Sequence, residues 1–320
     1  MAQGGKRKTE AGCLRPGFED RACPLCGADR PESLWQGRFD DPDVAGHLAA
    51  FHYSGFSPLS LTGESFRLCR CGDCGMTYHR RVLNAAGLLR LYGQWADAAQ
   101  ARRFEEAHRQ AGPDETARDA RRRLRLVLRL LAIAGSQRGR GAGVPGVLDY
   151  GAGAGGTMVA ATALGCRVVG VEPSATRPQD ATGRGAVIYP DLAALEQAGE
   201  PPFDAVVLDQ VLEHLPDPLP VLHRIAALTR PGGALFLAVP DCRGSTVPQG
   251  FDQFHRVQPL EHLNAFTPDT LDRIARAAGF RPVRPPPAFL GTRLAEAIRA
   301  AGAVLWQPRT TDRFYRLDRT

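Results

Sequence analysis

A chain of 320 residues with 43% hydrophobic and 23% charged side chains has the composition of an ordinary globular protein, with room for one large domain and a smaller module. No apolar run approaches the ~18 residues of a membrane span, and the basic start Lys6-Arg7-Lys8 has no apolar stretch behind it; neither a span nor a secretory signal is expected, and the expected compartment is the cytoplasm. The net charge of +6 arises before residue 141, almost entirely from arginine dispersed among acids, which reads as a solvated surface with nucleic acid as the alternative partner.

In chain order, residues 1–20 are polar and aperiodic and read as a disordered leader. Residues 21–82 form a cysteine module. Cys23-Pro24-Leu25-Cys26-Gly27 and Cys71-Gly72-Asp73-Cys74-Gly75 are two CxxCG knuckles, a spacing that supplies four thiolates for a tetrahedral zinc. The glycine after each pair permits the tight turn in which backbone amides point at the sulfurs. The alternative is a redox pair or unmetallated thiols, although redox CxxC motifs come singly in a thioredoxin-like context. Cys69 has the wrong spacing to Cys74 for a knuckle, and Cys13, Cys166 and Cys242 carry no motif. The insert between the knuckles, with Trp35, Phe39, His47, His52 and Tyr53, exceeds a minimal ribbon and is either a lid over a substrate or a decoration.

Residues 83–146 read as a helical region and linker. A helix from Ala85 breaks near Gly112-Pro113 and resumes at Asp114, with Leu124, Val127, Leu128 and Leu131 on one face and Arg121, Arg122, Arg123, Arg125 and Arg129 around them. The glycine-rich stretch from Gly135 to Gly146 is a flexible linker and the main boundary. Across 147–320, short apolar runs alternate with helical patterns: Val147 to Tyr150, Arg167 to Glu172, Ala186 to Tyr189, Phe203 to Asp209 and Ala234 to Val239. Such alternation indicates βαβ units around a parallel sheet. One helix, through Leu222, Ile225 and Leu228, ends before Arg230-Pro231-Gly232-Gly233. Another has Thr267 as cap, Pro268 in its first position, Leu271, Ile274 and Ala278 on one face, and Gly279 for the left-handed residue past its end.

The chemistry concentrates at Asp149-Tyr150-Gly151-Ala152-Gly153-Ala154-Gly155-Gly156, between an expected strand and an expected helix. Glycines there let the backbone turn sharply and let a ligand lie against the main chain, near the positive end of the helix. The string fits GxGxxG through Gly151, Gly153 and Gly156, and DxGxGxG through Asp149, Gly151, Gly153 and Gly155. Glu172 ends the next strand, where a carboxylate can accept hydrogen bonds from the ribose hydroxyls of an adenosine ligand. A structural turn with a surface glutamate is the alternative.

VLDYGAGAGG, VVGVEPS, FDAVVLDQVLEHLPDP, LTRPGGALFLAVP and HLNAFTPDTLDRIARAAGF, in this order over residues 147–284, resemble the successive motifs of class I S-adenosylmethionine-dependent methyltransferases. The resemblance implies a Rossmann-like α/β fold with a seven-stranded sheet and a reversed last strand, for which Arg281-Pro282-Val283 and Arg313 to Leu317 are the late-strand candidates. It implies S-adenosylmethionine rather than NAD: Asp149, Gly151, Gly153 and Gly155 beside the methionine part, Glu172 at the ribose, Asp191 and Leu192 at the adenine, and Asp209, Gln210 and the residues to His214 beside the methyl group. CPLCG with LCRCGDCGMTY also resembles the zinc-ribbon start of a subset of these enzymes, including sugar C-methyltransferases of deoxysugar pathways. Those carry a further C-terminal domain, and few residues follow the last motif here, so a relative without that domain is expected.

Methyl transfer from a sulfonium is an in-line displacement whose acceptor often must lose a proton. His214, beside Glu213 after the fourth strand, ranks first as base and His262 second; His255 shares the expected loop with His262, and Glu261 is beside it. A purely structural role is the alternative for each. Asp209-Gln210-Val211-Leu212 is not the Asn/Asp-Pro-Pro-aromatic sequence suited to an exocyclic base amine or a glutamine amide, and Pro240-Asp241-Cys242 is not a Pro-Cys nucleophile. The expectation is methyl transfer to a small-molecule hydroxyl or activated carbon, with structural zinc. The rivals are an RNA methyltransferase that holds nucleic acid through the zinc module and the arginine-rich helix, and a non-enzymatic zinc-ribbon scaffold.

Overall fold

The computed structural model describes residues 17–50, 58–95, 113–135, 143–173, 185–288 and 310–318. The expectations placed on residues 1–16, His52, Tyr53 and linker residues 136–142 lie outside the described residues. The amino-terminal elements are β1 (Phe18–Asp20), β2 (Pro31–Arg38), α1 (Pro42–Ala49), β3 (Ser65–Cys71), β4 (Thr77–His79), β5 (Arg81–Leu83) and α2 (Ala85–Arg90). There follow α3 (Pro113–Gly135), β6 (Gly146–Tyr150), α4 (Gly156–Ala163), β7 (Arg167–Val171), β8 (Val187–Tyr189), α5 (Leu192–Gln197) and β9 (Phe203–Asp209). The last elements are α6 (Pro218–Leu228), β10 (Thr229–Ala238), α7 (Phe251–Arg256), β11 (Asn264–Ala265), α8 (Pro268–Ala277), β12 (Phe280–Val283) and β13 (Asp312–Leu317).

Seven strands form one sheet in the order β12-β13-β10-β9-β6-β7-β8. Strands β6 to β10 run parallel, whereas β13 is antiparallel to both β10 and β12, the expected reversed strand. The central strands are apolar on both faces because helices cover both. On one face Leu126, Val127, Leu130 and Ile133 of α3 and Met158 of α4 pack on Val147, Ala205, Val207 and Phe236. On the other, Leu222, Ile225, Leu271 and Ile274 of α6 and α8 pack on Leu148, Val206, Leu208 and Leu235. Thr267 caps α8 in a reciprocal pair with Thr270, and Gly279 just beyond it has φ 88°.

Three observations depart from the sequence reading. Helix α3, expected in a separate helical region, is a layer of the sheet domain; its apolar stripe covers a face for which the short α4 is insufficient. Phe18–Asp20, expected inside a disordered leader, pair antiparallel with β5; three residues are too few to carry a period. The cysteine module is not self-contained either. A second sheet runs β11-β4-β3-β2 and so borrows β11 from the sheet domain. Its Cys23, Leu25, Cys71, Met76 and Tyr78 share one core with the α6/α8 face of the large sheet. The insert between the knuckles has a core of its own, in which Phe39, Val44, Leu48 and Phe66 meet Leu83, Trp95 and Phe254. Among the described residues no helix is long and apolar enough to cross a membrane.

His79, at the end of β4, is fully buried beside Trp35 and Phe66, with Nε2 2.7 Å from the Val257 carbonyl oxygen. Burial pushes its pKa down to about 4. The folded imidazole therefore stays neutral between pH 6.5 and 4, while the unfolded one takes up a proton near 6.5. Over that window the unfolded state binds more protons, so stability is full above it and declines as pH falls. Urea unfolding at pH 7 and pH 5 is expected to show wild type losing about 2 kcal/mol more than His79→Gln. Equal losses in the two proteins would contradict this.

Candidate functional site

After β6 the chain turns through Gly151 (φ 79°), Gly153 (φ 53°) and Gly155 (φ 78°) into α4, a left-handed backbone that side chains disfavour. At Gly151 an added Cβ would also stand 2.3 Å from Val211 Cγ2, so this loop and the turn after β9 meet only because the residue is glycine. The Gly153 N–H donates to Glu172 Oε2 at 2.8 Å, which joins the end of β7 to the loop. Asp149 is buried at the root of the loop. Burial pushes its pKa up to about 7, against the pull of Arg123 and with the added charge of Asp209 and Glu172. Of the residues expected near an adenine, Asp191 caps α5 by accepting the Ala194 N–H at 2.8 Å, and Leu192 is buried in the core.

Strand β9 delivers Asp209, which is ion-paired with Arg122 at 3.3 Å. Gln210 follows at φ 58°, the single non-glycine residue with positive φ among the described residues, and its N–H donates to the Ala238 carbonyl at 2.9 Å. The tight turn Leu212–His214 comes next. Glu213 is 1% exposed, neither of its carboxyl oxygens has a hydrogen-bond partner, and burial pushes its pKa up to about 8.

Three imidazoles gather over this turn. The His214 ring lies 4.9 Å from that of His262, which lies 5.1 Å from that of His255. His214 Nε2 is 3.9 Å from Glu213 Oε1, and the Tyr92 hydroxyl is 3.4 Å from His214 Nδ1. Burial, reinforced by the two neighbouring imidazoles, holds His262 well below its ordinary value, and its Nδ1 lacks a hydrogen-bond partner. The fold thus brings Glu213, His214 and His262 together, one ligand atom of each lying within 4.8 Å of the others. A carboxylate and two imidazoles, with both Glu213 oxygens and His262 Nδ1 lacking hydrogen-bond partners, fit a divalent transition metal by the chemistry of the donor set. His255, expected in a loop, lies on α7.

The sulfurs of Cys23, Cys26, Cys71 and Cys74 also lie within 4.8 Å of one another. Cys23 and Cys74 are 3.5 Å apart and Cys26 and Cys71 3.6 Å, close to the edge of about 3.8 Å in a tetrahedron with zinc–sulfur bonds near 2.3 Å. The knuckles repeat one geometry: the N–H of Gly27 (φ 73°) donates to Cys23 O and that of Gly75 (φ 74°) to Cys71 O, each at 2.9 Å. The residues fit a zinc ion, and Cys69 stays outside the set.

Sequence reasoning missed three residues here. Arg122 and Arg123 belong to the arginine-rich face that reads as solvated, yet Arg123 donates to Asp119 at 2.8 Å and to Thr157 at 3.2 Å, beneath the glycine loop. The available signal was the i,i+4 spacing of Asp119 and Arg123 on a helix. Tyr92 carried no signal. Elsewhere, a cavity of about 430 Å³ is lined by Arg38, Arg67, Arg80, Arg81 and Asp20 among others but by none of the site groups above, and Arg38, Arg80 and Arg81 are paired with acids.

A family model described as a methyltransferase domain matches residues 115–284, a span that takes in α3. The ubiquinone biosynthesis O-methyltransferase of Aeromonas salmonicida is 31% identical over 146 residues, 42% of this chain and 61% of that protein. The protein of the same name from Xanthomonas campestris is 38% identical over 102 residues, 29% of this chain and 41% of that one. The chain thus spans less than two thirds of these relatives. A solved structure of Burkholderia thailandensis 1,6-didemethyltoxoflavin-N1-methyltransferase, with bound 1,6-didemethyltoxoflavin and S-adenosylhomocysteine, is 21% identical and covers 79% of this chain and 96% of its own, with a TM-score of 0.43.

If the glycine loop and Glu172 hold an adenosine-bearing cofactor, S-adenosylhomocysteine binds the wild-type protein in calorimetry. Glu172→Ala weakens it about 10–100-fold through the loss of hydrogen bonds to a charged group. Gly153→Arg abolishes it, because the residue stands at φ 53° with its N–H on Glu172. Unchanged affinity in both variants would remove the loop from the cofactor site.

Proposed function

The chain belongs to the methyltransferase-domain family, matched over residues 115–284, and from that premise we propose that it transfers the methyl group of S-adenosylmethionine to a hydroxyl or activated carbon of a small molecule. The observation that carries the reading is the contact between the glycine loop and the turn after β9, where Gly151 meets Val211. It sets a cofactor cradle beside buried acid and imidazole groups. The relatives named for ubiquinone biosynthesis support a small-molecule hydroxyl as acceptor. The cofactor supplies an electrophilic methyl on a sulfonium, and this chain's own residues align the acceptor and take its proton.

His214 is the proposed base. Its side chain is 24% exposed, open enough to meet an acceptor; the Tyr92 hydroxyl is on its Nδ1, and Glu213 Oε1 stands 3.9 Å from its Nε2, outside hydrogen-bond distance. His262 is held neutral by burial, which makes it a weak base and suits it to orienting the His214 ring. Glu213 carries a proton through neutral pH and takes its charge when a cation, including an imidazolium at His214, forms beside it. A second reading is favoured by the orphaned oxygens of Glu213 and Nδ1 of His262: Glu213, His214 and His262 hold a divalent cation, which when bound lowers the pKa of an acceptor hydroxyl. The four cysteines are proposed to hold one structural zinc. The RNA alternative loses support because Arg122 and Arg123 of the basic helix are engaged with Asp209, Asp119 and Thr157 of the same chain. The intact glycine loop and its bond to Glu172 speak against an inert scaffold.

Incubation with methyl-labelled S-adenosylmethionine and separate metabolite and RNA pools tests the reading, label being expected in the metabolite pool. Label confined to RNA, or none in either, would overturn it. With the acceptor in hand, His214→Ala is expected to lower kcat about 10²–10⁴-fold with affinity for S-adenosylhomocysteine near wild type. A chelator that leaves turnover intact favours His214 as base, and one that abolishes turnover reversibly favours the cation. Elemental analysis of protein purified without added metal is expected to find one zinc per chain, lost in Cys23→Ser. A redox-active metal or none would remove the zinc.

A further inference from the structure

The turn that presents Glu213 and His214 is held from the side of the cysteine module. Asn264, fully buried in β11, donates its Nδ2 to the carbonyls of Leu212 at 3.0 Å and Leu215 at 2.7 Å. Its Oδ1 accepts from Arg21 Nη2 at 3.0 Å. Only this orientation of the amide works, since a flipped one would set its oxygen against two carbonyls and its NH2 against a guanidinium. Arg21 in turn donates through Nη1 to the Pro216 carbonyl, through Nη2 to that of Leu263 at 2.6 Å, and through Nε to that of His79 at 2.9 Å. Thus the carbonyls of residues 212, 215 and 216 are all taken by one Asn–Arg pair. Arg21 sits two residues before the first knuckle cysteine, and its own N–H donates to Arg80 O at 2.9 Å. A planar fork serving acceptors in several directions is a task for arginine rather than lysine. A second tie joins the same two units: Arg273 of α8 donates to the Cys74 carbonyl at 2.6 Å.

Resting on the reading of Glu213 and His214 as the acceptor-side groups, we propose that Arg21 and Asn264 are positioning residues, through which the cysteine module sets the placement of the Glu213–His214 turn against the cofactor loop. Both act on the turn through its backbone carbonyls. The module then acts in methyl transfer by fixing where the imidazole stands, and its anchor is the guanidinium rather than a side chain reaching into the site. The Leu212 side chain is buried in the core with Val211 and Leu215 packed against it, and the His214 N–H donates to Val211 O at 3.0 Å within the turn itself; the carbonyls of the turn are what the Asn–Arg pair fixes.

The test uses the full chain. Asn264→Asp keeps the size of the side chain but replaces both donor bonds by oxygen–oxygen repulsion; Arg21→Lys keeps the charge with fewer donors, and Arg21→Gln removes the charge and leaves two donors. In Asn264→Asp, kcat per folded molecule is expected to fall about 10–100-fold, the scale on which a misplaced catalytic group costs rate. Affinity for S-adenosylhomocysteine and zinc content should stay at wild-type values, and Arg21→Lys should lie between wild type and Arg21→Gln. Wild-type kcat and KM per folded molecule, with only the melting temperature lowered, would overturn the proposal and leave a structural tie. A readout independent of turnover is the imidazole resonance of His214 in isotope-labelled protein bound to S-adenosylhomocysteine, assigned with His214→Gln. It should move in Asn264→Asp even if no acceptor pool is methylated, which separates failure of the proposed function from failure of this proposal. An unmoved resonance in the folded variant overturns it. If Arg21→Gln does not fold, Asn264→Asp and Arg21→Lys carry the test alone.

Discussion

Everything chemical in this molecule depends on two loops being able to touch at the carboxyl edge of a parallel sheet. The loop after β6 and the turn after β9 come from adjacent strands, β6 and β9, so their backbones leave the sheet side by side, and any side chain at Gly151 would drive them apart. The contact in turn constrains Gln210, which must adopt φ 58° to redirect the chain from β9 into the turn. A non-glycine residue there costs on the order of 1–3 kcal/mol and persists only where its surroundings over-determine it. They do so here, since the Gln210 N–H is tied to β10 through Ala238 and the strand behind it is clamped between β6 and β10.

The same economy explains why the cysteine module is not a separate bead. A small module buries too little apolar surface to be stable alone, and four thiolates compensate only when a metal organises them. Here the knuckles add a further solution: their apolar residues enter the core beneath α6 and α8, and β4 pairs with β11 of the larger domain. A metal held by the cysteines, as proposed, would thereby be coupled to the packing of the sheet face, because Cys74, Met76 and Tyr78 belong to the same core. The buried neutral His79 at the end of β4, bonded to Val257, closes the seam from the other side.

Much of this was legible in the residues. Strands β6, β7, β9 and β10 announce themselves as apolar runs because both faces are covered, and the cap of α8 reads directly from Thr267 and Pro268. The two CxxCG turns are legible because each repeats one short spacing, and their four sulfurs do lie together. Three things were not. The glycines around residue 140 look like a domain boundary, but glycine reports only local backbone freedom, and whether α3 then folds back onto the sheet is decided by apolar surface far away in sequence. The engagement of Arg123 with Thr157, and of Arg21 with Pro216 and Leu263, joins residues with no shared period, so composition marks them as ordinary surface arginines. Asp191 shows a role its place after β8 did not announce: one of its carboxylate oxygens caps the helix that begins beside it.

The electrostatics of the site follow from the crowding of these acids and bear on the proposed chemistry. Asp149, Glu172, Asp209 and Glu213 converge where β6, β7 and β9 end. Asp149 and Glu213 are buried enough that they hold protons up to about 7 and about 8. Arg123 and Arg122 offset part of this charge from beneath the loop and from the flank, without entering the contact between the loops. Such a site is short of positive charge, and on the proposed reading a sulfonium provides it. The cation favours the ionised form of each nearby carboxyl, so the ground-state complex gains from every acid around it. Methyl transfer removes that charge from the cofactor, and the by-product is a neutral thioether. Asp149 and Glu213 would then lose a cation that favours their ionised forms, so that they would favour the charged cofactor over its spent form. On that reading, crowded carboxyls that would be a liability in an inert fold would give the site a preference for the charged cofactor, Asp149 and Glu213 being the two whose burial holds their protons.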